Sequence, residues 1–288
     1  MAVRRNRNSK PDRSRRRQEA EVNILDVWKP VTELGKKVKA GEYTDIDQVF
    51  NSGERILESE IVDVLIPGLT SDLLLIGQAK GKFGGGQRRI FRQTQKKTRE
   101  GNRIQFATCA LVGNKNGYVG VGFGKSKETV PARDKAKRRA KLNLIKIRRG
   151  CGSWEGVPNT NSIPFAVSGK CGSSKITLIP APEGTGLCIE KECAKILAAA
   201  GIKDIWSKTE GQTKTKINLI KACVEALKQL NEVKVQTHHF DTLGIQDGKL
   251  PSGPSKEDLD VMLAGEKEST QAEAVKEESP KKAAVEEK

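Results

Sequence analysis

The fold of this chain is decided by one stretch: the apolar run Ile104-Gln-Phe-Ala-Thr-Cys-Ala-Leu-Val112, the turn Asn116-Gly117, and the glycine-studded run Tyr118-Val-Gly-Val-Gly-Phe-Gly124. The first run is β-prone, and Asn-Gly is a strong signal for a tight hairpin turn. In the second run alternate residues share a face, so the three glycines lie opposite the apolar side chains. A glycine face weakens a strand unless another group approaches closely. A helix rich in Lys and Arg follows over residues 127–141, so the stretch predicts a sheet-and-helix unit that binds a polyanion.

Charge is the strongest compositional feature of the chain. Its 288 residues contain 52 Lys and Arg against 36 Asp and Glu, a formal net charge of +16. The segment 255–288 has ten acidic and six basic residues, so the rest of the chain is more basic than the total indicates. A positive field of this size favours phosphate-rich partners and salt-sensitive binding. A solvated charged surface without a partner is the alternative.

Aromatic residues make up only 4% of the chain. Proteins that bind single-stranded nucleic acid usually stack its bases on Phe, Tyr or Trp. Few aromatic residues together with many Lys and Arg therefore favour recognition of the shape and phosphates of structured RNA.

The sequence has few of the residues that form metal sites, disulfides or membrane-spanning segments, and their spacing does not suit those features. None of the six cysteines forms a C-x-x-C pair, and the two histidines are the adjacent His238 and His239. We therefore expect reduced thiols in a cytoplasmic protein, no zinc site and no cofactor. No apolar run reaches 18 residues, so no membrane span is expected. The N-terminus lacks the apolar segment of a secretory signal.

Composition shifts divide the chain into five segments. The third and fourth segments contain the regular apolar patterns, and the first and last segments are rich in charged residues. The predicted limits are 1–22 for a flexible basic arm, 23–86 for a helical extension, 87–150 for an RNA-binding-like α+β domain, 151–240 for a second α+β domain, and 241–288 for a disordered acidic tail. The tail becomes rich in Pro, Ser, Glu, Lys and Ala from about Lys249.

Periodicity and turn signals place the helices and strands of these segments. Helices are predicted within 24–66 and over 127–141, 189–200 and 214–230, and strands over 87–98, 104–112, 118–124, 163–167, 174–179 and 204–208. In the helix at 127–141, Ala132, Ala136 and Ala140 recur four residues apart and form a stripe that can pack closely on a sheet. Residues 145–162 are predicted to form a connector. The strand at 87–98 is polar on both faces, so it is either an edge strand or a surface covered by a ligand.

The sequence Gly124-Lys125-Ser126 raises the possibility of a phosphate loop. That loop needs a glycine five residues before Gly124, where this chain has Val119, and here the glycines continue a strand. Pro182-Glu-Gly-Thr-Gly186 precedes a helix and is either an anion site built from free amides or a plain turn. No catalytic set stands out, so we predict a protein that is not an enzyme. A phosphoryl-transfer protein that uses the Gly-Lys-Ser turn is the enzyme alternative.

The signature hairpin of the universal S-five family of small-subunit ribosomal proteins resembles Val112-Gly-Asn-Lys-Asn-Gly-Tyr-Val-Gly-Val-Gly-Phe-Gly-Lys-Ser126. Further matching motifs follow in the same order: Ala140-Lys-Leu-Asn143, Ile147-Arg-Arg-Gly150, Ile163-Pro-Phe165, Gly169-Lys-Cys-Gly172, Leu178-Ile-Pro-Ala-Pro182, Ala200-Gly-Ile-Lys-Asp204 and Asn218. The resemblance covers about residues 40–232, and Cys151-Gly-Ser-Trp-Glu155 is similar to the archaeal branch of the family. The residues that follow Glu155 depart from the cysteine- and histidine-bearing pattern of archaeal members, which argues against a metal there.

The resemblance implies an α+β fold of two small domains. The first is similar to a double-stranded-RNA-binding domain, and the second is the βαβ-type domain of the family. It implies a structural protein, cytoplasmic and ribosome-bound, that contacts ribosomal RNA and supports subunit assembly and decoding accuracy. Its implied neighbours are a protein of the S-four family and messenger RNA where it enters the subunit. A free-standing double-stranded-RNA-binding regulator is the alternative.

Candidate RNA-binding residues come from the basic segments and from the glycine strand. The basic side chains are expected to neutralise phosphates. The resemblance also implies that the loop Thr98–Arg103 inserts into RNA, as the corresponding hairpin loop of the family does. The glycines are expected to let either an RNA backbone or another protein element approach closely, while the other face of their strand packs under the basic helix. The full set is Arg88, Arg89, Arg92, Lys96, Lys97, Arg99, Arg103, Gly120, Gly122, Gly124, Lys125, Lys127, Arg148 and Arg149.

Overall fold

The structure is a computed structural model that describes residues 28–79, 88–152, 160–242 and 244–248. The predicted basic arm, most of the predicted acidic tail and part of the connector lie outside these ranges. Within the described residues, no helix is both long and apolar enough to cross a lipid bilayer.

Three short helices form the N-terminal part of the described chain: α1 (Glu33–Ala40), α2 (Ile46–Ser52) and α3 (Ser59–Leu65). Their apolar sides meet in a small core that includes Trp28, Val49 and Ile61. The Glu58 carboxylate accepts hydrogen bonds from Trp28 Nε1 at 2.7 Å and from the Thr32 backbone at 2.6 Å. Burial disfavours the charge on Glu58, but these hydrogen bonds outweigh it and hold its pKa below the usual range. Glu58 thus fastens the start of the described chain to α3.

The first sheet contains five antiparallel strands, namely β1 (Thr70–Leu74), β2 (Arg92–Thr98), β3 (Gly101–Gly113), β4 (Tyr118–Ser126) and β5 (Leu144–Lys146). Its order is β1-β3-β4-β5, and β2 also pairs with β3. The predicted hairpin is present, with Val112 opposite Gly120 and Gly117 at a positive φ of 86° in the turn. Residues 70–74, which the sequence placed in a helical extension, pair with β3 as a strand.

Helix α4 (Thr129–Leu142) packs directly on the glycine face of β4. The buried alanines Ala132, Ala136 and Ala140 form the contact, four residues apart as the sequence indicated. A Cβ atom on Gly124 would lie 2.5 Å from the Ala136 nitrogen, and one on Gly122 would lie 2.7 Å from the Arg139 carbonyl carbon. The predicted orientation was therefore wrong, because the glycine face meets the helix and the apolar face does not.

The second part of the chain is built on a four-stranded sheet of order β7-β8-β10-β9. Its elements, with the short strands before and after it, are β6 (Arg148–Arg149), β7 (Val167–Cys171), β8 (Ser174–Pro180), β9 (Leu187–Cys188), α5 (Lys191–Ala200), β10 (Ile205–Glu210), α6 (Lys216–Glu232), α7 (Thr237–Thr242) and β11 (Gln246–Asp247). Strands β9 and β10 are parallel, and β11 pairs with β6. Residues 163–166, predicted as a strand, are irregular, and the strand starts at Val167 after Pro164. Strand β11 lies beyond residue 241, where the sequence placed the start of the tail.

One hydrophobic core joins the two sheets. Val119 and Val121 of β4 belong to the same cluster as Ile196 of α5 and Ile220 of α6. Cys109 and Cys193 are fully buried there, and both are thiols outside any disulfide. Burial raises the pKa of Cys109 to about 12, so this thiol stays protonated and unreactive. The apolar face of β4 thus holds the second sheet and its helices against the first.

Candidate nucleic-acid interface

A two-stranded ribbon extends beyond the first sheet. Strand β2 pairs with residues 101–107 of β3, whereas β4 pairs with β3 only from Phe106 onwards. Residues 101–105 therefore have β2 as their one partner among the described strands. Residues 92–97 of β2 and 101–104 of β3 are all exposed. A two-stranded hairpin is marginally stable by itself, so a bound partner would stabilise this ribbon.

The ribbon carries five basic residues and one acidic residue between positions 92 and 104: Arg92, Lys96, Lys97, Arg99, Arg103 and Glu100. Lys96 lies directly opposite Arg103 in the strand register. Like charges opposite one another destabilise a strand pair. A bound polyanion would remove that repulsion, so the arrangement suits contact with phosphates.

The register also assigns these cations to a face. Arg92, Lys96 and Arg103 lie on the side of β3 shared by Cys109 and Leu111, because opposite residues and alternate residues share a face. That side is opposite to helix α4, whose contacts on β3 are Ala110 and Val112. The most cationic side of the ribbon therefore faces away from α4.

Arg88 and Arg89 lie at the base of the ribbon. Arg88 is half-buried and donates a hydrogen bond to the Lys214 carbonyl at 3.2 Å, whereas Arg89 is exposed. Both line a cavity of about 470 Å³, together with Leu75, Ile90, Phe91, Gln93, Phe106 and Thr129. Arg89 is therefore available to a ligand directly, and Arg88 is partly engaged by the protein.

Helix α4 presents a second cationic surface, on the side away from its alanines. Arg133, Lys135 and Arg138 are exposed there. Of the residues in the predicted helix, the sequence assigned only Lys127 to the interface. The alanine stripe could have identified the others, because it marks the buried side of the helix and therefore also its exposed side. Lys125 and Lys127 are both exposed where β4 leads into α4. These two predicted residues are thus accessible.

Two basic residues of α4 are held by the protein itself. Lys141 forms an ion pair with Asp63 of α3, which fastens the N-terminal helices to α4. Arg139 donates a hydrogen bond to the Phe123 carbonyl at 2.9 Å. Basic residues on one helix thus divide into an exposed set, of which Arg133 lies 3.5 Å from the neighbouring Asp134, and a set that contacts other elements of the protein.

Arg148 and Arg149 are also structural. The Arg148 guanidinium pairs with Asp247 at 2.7 Å and donates to the Val233 carbonyl at 2.9 Å. Arg149 is 2% exposed and donates to the Gly248 carbonyl at 2.8 Å. Burial lowers the pKa of Arg149 from its ordinary value. Both were predicted to bind RNA, and the structure instead uses them to hold the returning strand β11.

The glycines that suggested close approach of RNA are buried under α4. Gly120, Gly122 and Gly124 each face backbone atoms of that helix, so the space beside them is filled by protein. The Gly-Lys-Ser sequence lies inside strand β4, which is not the geometry of a phosphate loop. The Pro182–Gly186 segment is a turn whose Gly186 amide donates to Asp204 Oδ1 at 2.7 Å. That bond takes one of the amides an anion would need.

Among the described residues, no group of three or more His, Cys, Asp or Glu side chains could hold a metal ion. The exposed side chains of the interface offer ammonium and guanidinium groups.

Comparisons with known proteins match both halves of the described chain. Residues 90–148 match the family described as ribosomal protein S5, N-terminal domain, and residues 169–238 match ribosomal protein S5, C-terminal domain. The chain is 45% identical over 232 residues to small ribosomal subunit protein uS5 of Nanoarchaeum equitans, which covers 80% of this chain and 98% of that protein. It is 43% identical over 227 residues to the protein of the same name from Methanocaldococcus jannaschii, covering 78% and 98% of the two chains. With the Pyrobaculum aerophilum protein it shares 44% identity over 217 residues, covering 74% and 93%.

Proposed function

The chain belongs to the ribosomal protein S5 family, and on that premise we propose that its ribbon and the exposed side of α4 bind the RNA of the small ribosomal subunit. The relatives are small-subunit ribosomal proteins by name, and this chain is accordingly a structural protein of the ribosome. Membership of a family of structural ribosomal proteins argues against the phosphoryl-transfer alternative. It also disfavours a free-standing RNA-binding regulator.

The observation that carries the proposal is the ribbon itself. It exposes five cations on a pair of strands, places two of them opposite one another, and has little apolar surface of its own. Intramolecular packing does not explain these charges, whereas phosphates of a folded RNA do. Helix α4 adds Arg133, Lys135 and Arg138 on the opposite side of the sheet.

The structure narrows the set of residues that we propose for RNA contact. The glycines of β4 and Arg149 leave it because they are buried, and Arg148 leaves it because it pairs with Asp247. Arg88 stays, because it is only half-buried and has no ion pair within the described residues. The proposed contacts are Arg88, Arg89, Arg92, Lys96, Lys97, Arg99, Arg103, Lys125 and Lys127, with the three residues of α4 added.

We propose further features that the family resemblance supports. They are a neighbouring protein of the S-four family, messenger RNA where it enters the subunit, a role in assembly and decoding accuracy, and a cytoplasmic location. The domain limits 87–150 and 151–240 are likewise a proposal, and limited proteolysis tests them. Cleavage expected between 150 and 160 would support the boundary, and cleavage within β3 or α6 instead would contradict it.

Sedimentation of a cell extract at low magnesium tests the ribosomal assignment. The chain is expected in the small-subunit fractions, and recovery only in the light fractions would overturn it. A photo-crosslinker, p-benzoylphenylalanine, in place of Thr94 on the ribbon tests the interface. A crosslink to small-subunit RNA is expected there, and irradiated subunits without one would contradict the proposed contact.

A further inference from the structure

A cleft of about 380 Å³ lies between the first sheet and helix α6. It is lined by Val121, Phe123, Lys170, Cys171, Lys221, Val224, Glu225 and Lys228. Its volume lies in the range of small-ligand sites. Nothing in the function proposed above uses it.

The cleft follows from two sequence periods. Val121 and Phe123 alternate along β4 on the face opposite to the glycines. Positions 221, 224, 225 and 228 recur along α6 at helical spacing, next to the stripe that enters the core. Each pattern is visible in the sequence, but only the folded chain brings the two together.

The cleft has an apolar floor and a cationic rim. Phe123 and Val224 are half-buried, and the Lys221 Nζ atom lies 5.4 Å above the centre of the Phe123 ring. Lys170, Lys221 and Lys228 line the cleft together with one acidic side chain, Glu225, which pairs with Lys228 at 3.4 Å. An anion with a flat apolar part would contact both the ring and the ammonium groups.

The cleft and the cationic side of the ribbon lie on the same face of the first sheet. Phe123 is opposite Cys109, and Cys109 shares its face of β3 with Arg103. Six residues of strand separate Arg103 from Cys109, about 20 Å. One RNA segment could therefore contact the ribbon and reach the cleft.

We propose that this cleft binds one unpaired nucleotide of ribosomal RNA, with its base against Phe123 and Val224 and its phosphates on Lys170, Lys221 and Lys228. This proposal rests on the proposed function and specifies a second subsite for the same RNA. A nucleotide is favoured over an acidic peptide because it carries the flat apolar ring and the anion in one unit. A peptide needs separate side chains to cover the floor and to satisfy the lysines.

Crosslinking in assembled subunits tests the subsite. With p-benzoylphenylalanine in place of Glu225, irradiation is expected to give a crosslink to an unpaired nucleotide of ribosomal RNA, mapped by reverse transcription. A crosslink to a protein, or none at all, overturns the proposal. The crosslinker at Thr94 separates the two ideas: RNA at Thr94 but not at Glu225 removes only the cleft, whereas no RNA at either position removes both.

Binding by the purified full-length chain supplies the matched control. Lys221→Glu is expected to weaken affinity for a ten-nucleotide oligoadenylate about tenfold, since it replaces a phosphate-binding ammonium group with a carboxylate that repels the phosphate. Lys208→Glu makes the same charge change at an exposed position of β10 outside the cleft, and a loss of about twofold or less is expected. Equal losses for the two variants, or no loss for Lys221→Glu, would show that the cleft does not hold a nucleotide.

Discussion

The ribbon of β2 and β3 and the seam, which is the contact between β4 and α4, are similar in sequence character but differ in exposure. Both are rich in basic residues, and both were expected to lie against RNA. In the ribbon the side chains are exposed on both faces, whereas at the seam the glycines and alanines are buried against one another. The comparison shows that a glycine face and a cluster of basic residues indicate different things. A glycine face allows any backbone to pack closely against the strand, and here that backbone belongs to helix α4 of the protein itself.

The same contrast separates basic residues from one another. Arg149 and Lys141 have protein partners, while Arg99 and Lys135 are exposed. Charge alone does not distinguish them, since a cation in a sequence is equally suited to a carbonyl, a carboxylate or a phosphate. Four variants, each with a result that would contradict the expectation, test the distinction in decreasing order of expected effect.

Gly122→Val should have the largest effect. A Cβ atom at this position would clash with the Ala140 nitrogen and the Ala136 carbonyl oxygen, so α4 must move off the sheet. We expect a loss of roughly 3 kcal/mol or more in the free energy of unfolding, measured by urea denaturation. The control Gln95→Val places the same branched side chain on the exposed ribbon and should change the free energy of unfolding by about 0.5 kcal/mol or less. A stable Gly122→Val protein would contradict the close packing of α4.

Arg149→Ala should come next. It leaves a cavity and removes the donor to the Gly248 carbonyl, so we expect a loss of roughly 2–3 kcal/mol. The salt dependence of RNA binding should stay the same, because Arg149 is buried. Denaturation and filter binding over a range of salt concentrations measure the two quantities. A shallower salt dependence without loss of stability would restore Arg149 to the RNA interface.

Arg99→Ala combined with Arg103→Ala should show the opposite pattern. Both side chains are exposed on the ribbon, so the free energy of unfolding should change by about 0.5 kcal/mol or less for each. The slope of log affinity against log salt should become shallower by about one unit for each lost phosphate contact. An unchanged slope would show that the tip of the ribbon does not contact phosphates.

Lys141→Ala should have the smallest effect. Its ion pair with Asp63 is about a quarter exposed, so we expect a loss of about 1 kcal/mol or less in stability and little change in RNA affinity. Lys135→Ala, on the exposed side of the same helix, should weaken RNA binding and leave stability nearly unchanged. Thermal unfolding and RNA titration of the two variants provide the check. Identical behaviour of both would mean that the two sides of α4 are equivalent.

Local pattern predicted much of the fold. The hairpin at Asn116-Gly117 and the alanine stripe of α4 are both present, because turn chemistry and helical period are properties of neighbouring residues. The strand at residues 70–74 and the role of Arg149 were missed. Both features depend on a partner that is distant in sequence. Thr70 pairs with Gly113 in the sheet, and Arg149 donates a hydrogen bond to the carbonyl of Gly248, 99 residues away. Local pattern carries no signal for such pairings.

The sequence by itself determined the α+β class, the family, the cationic ribbon and which residues share each face of β4. Alternation along a strand fixes those faces without reference to anything else. Only the tertiary structure decided which neighbour each face meets. It gave the glycine face to α4, the apolar face to the second sheet, and Lys221 and Phe123 to one cleft. The physical reason is that a face is a local property of the backbone, whereas its partner depends on how distant segments fill the remaining space.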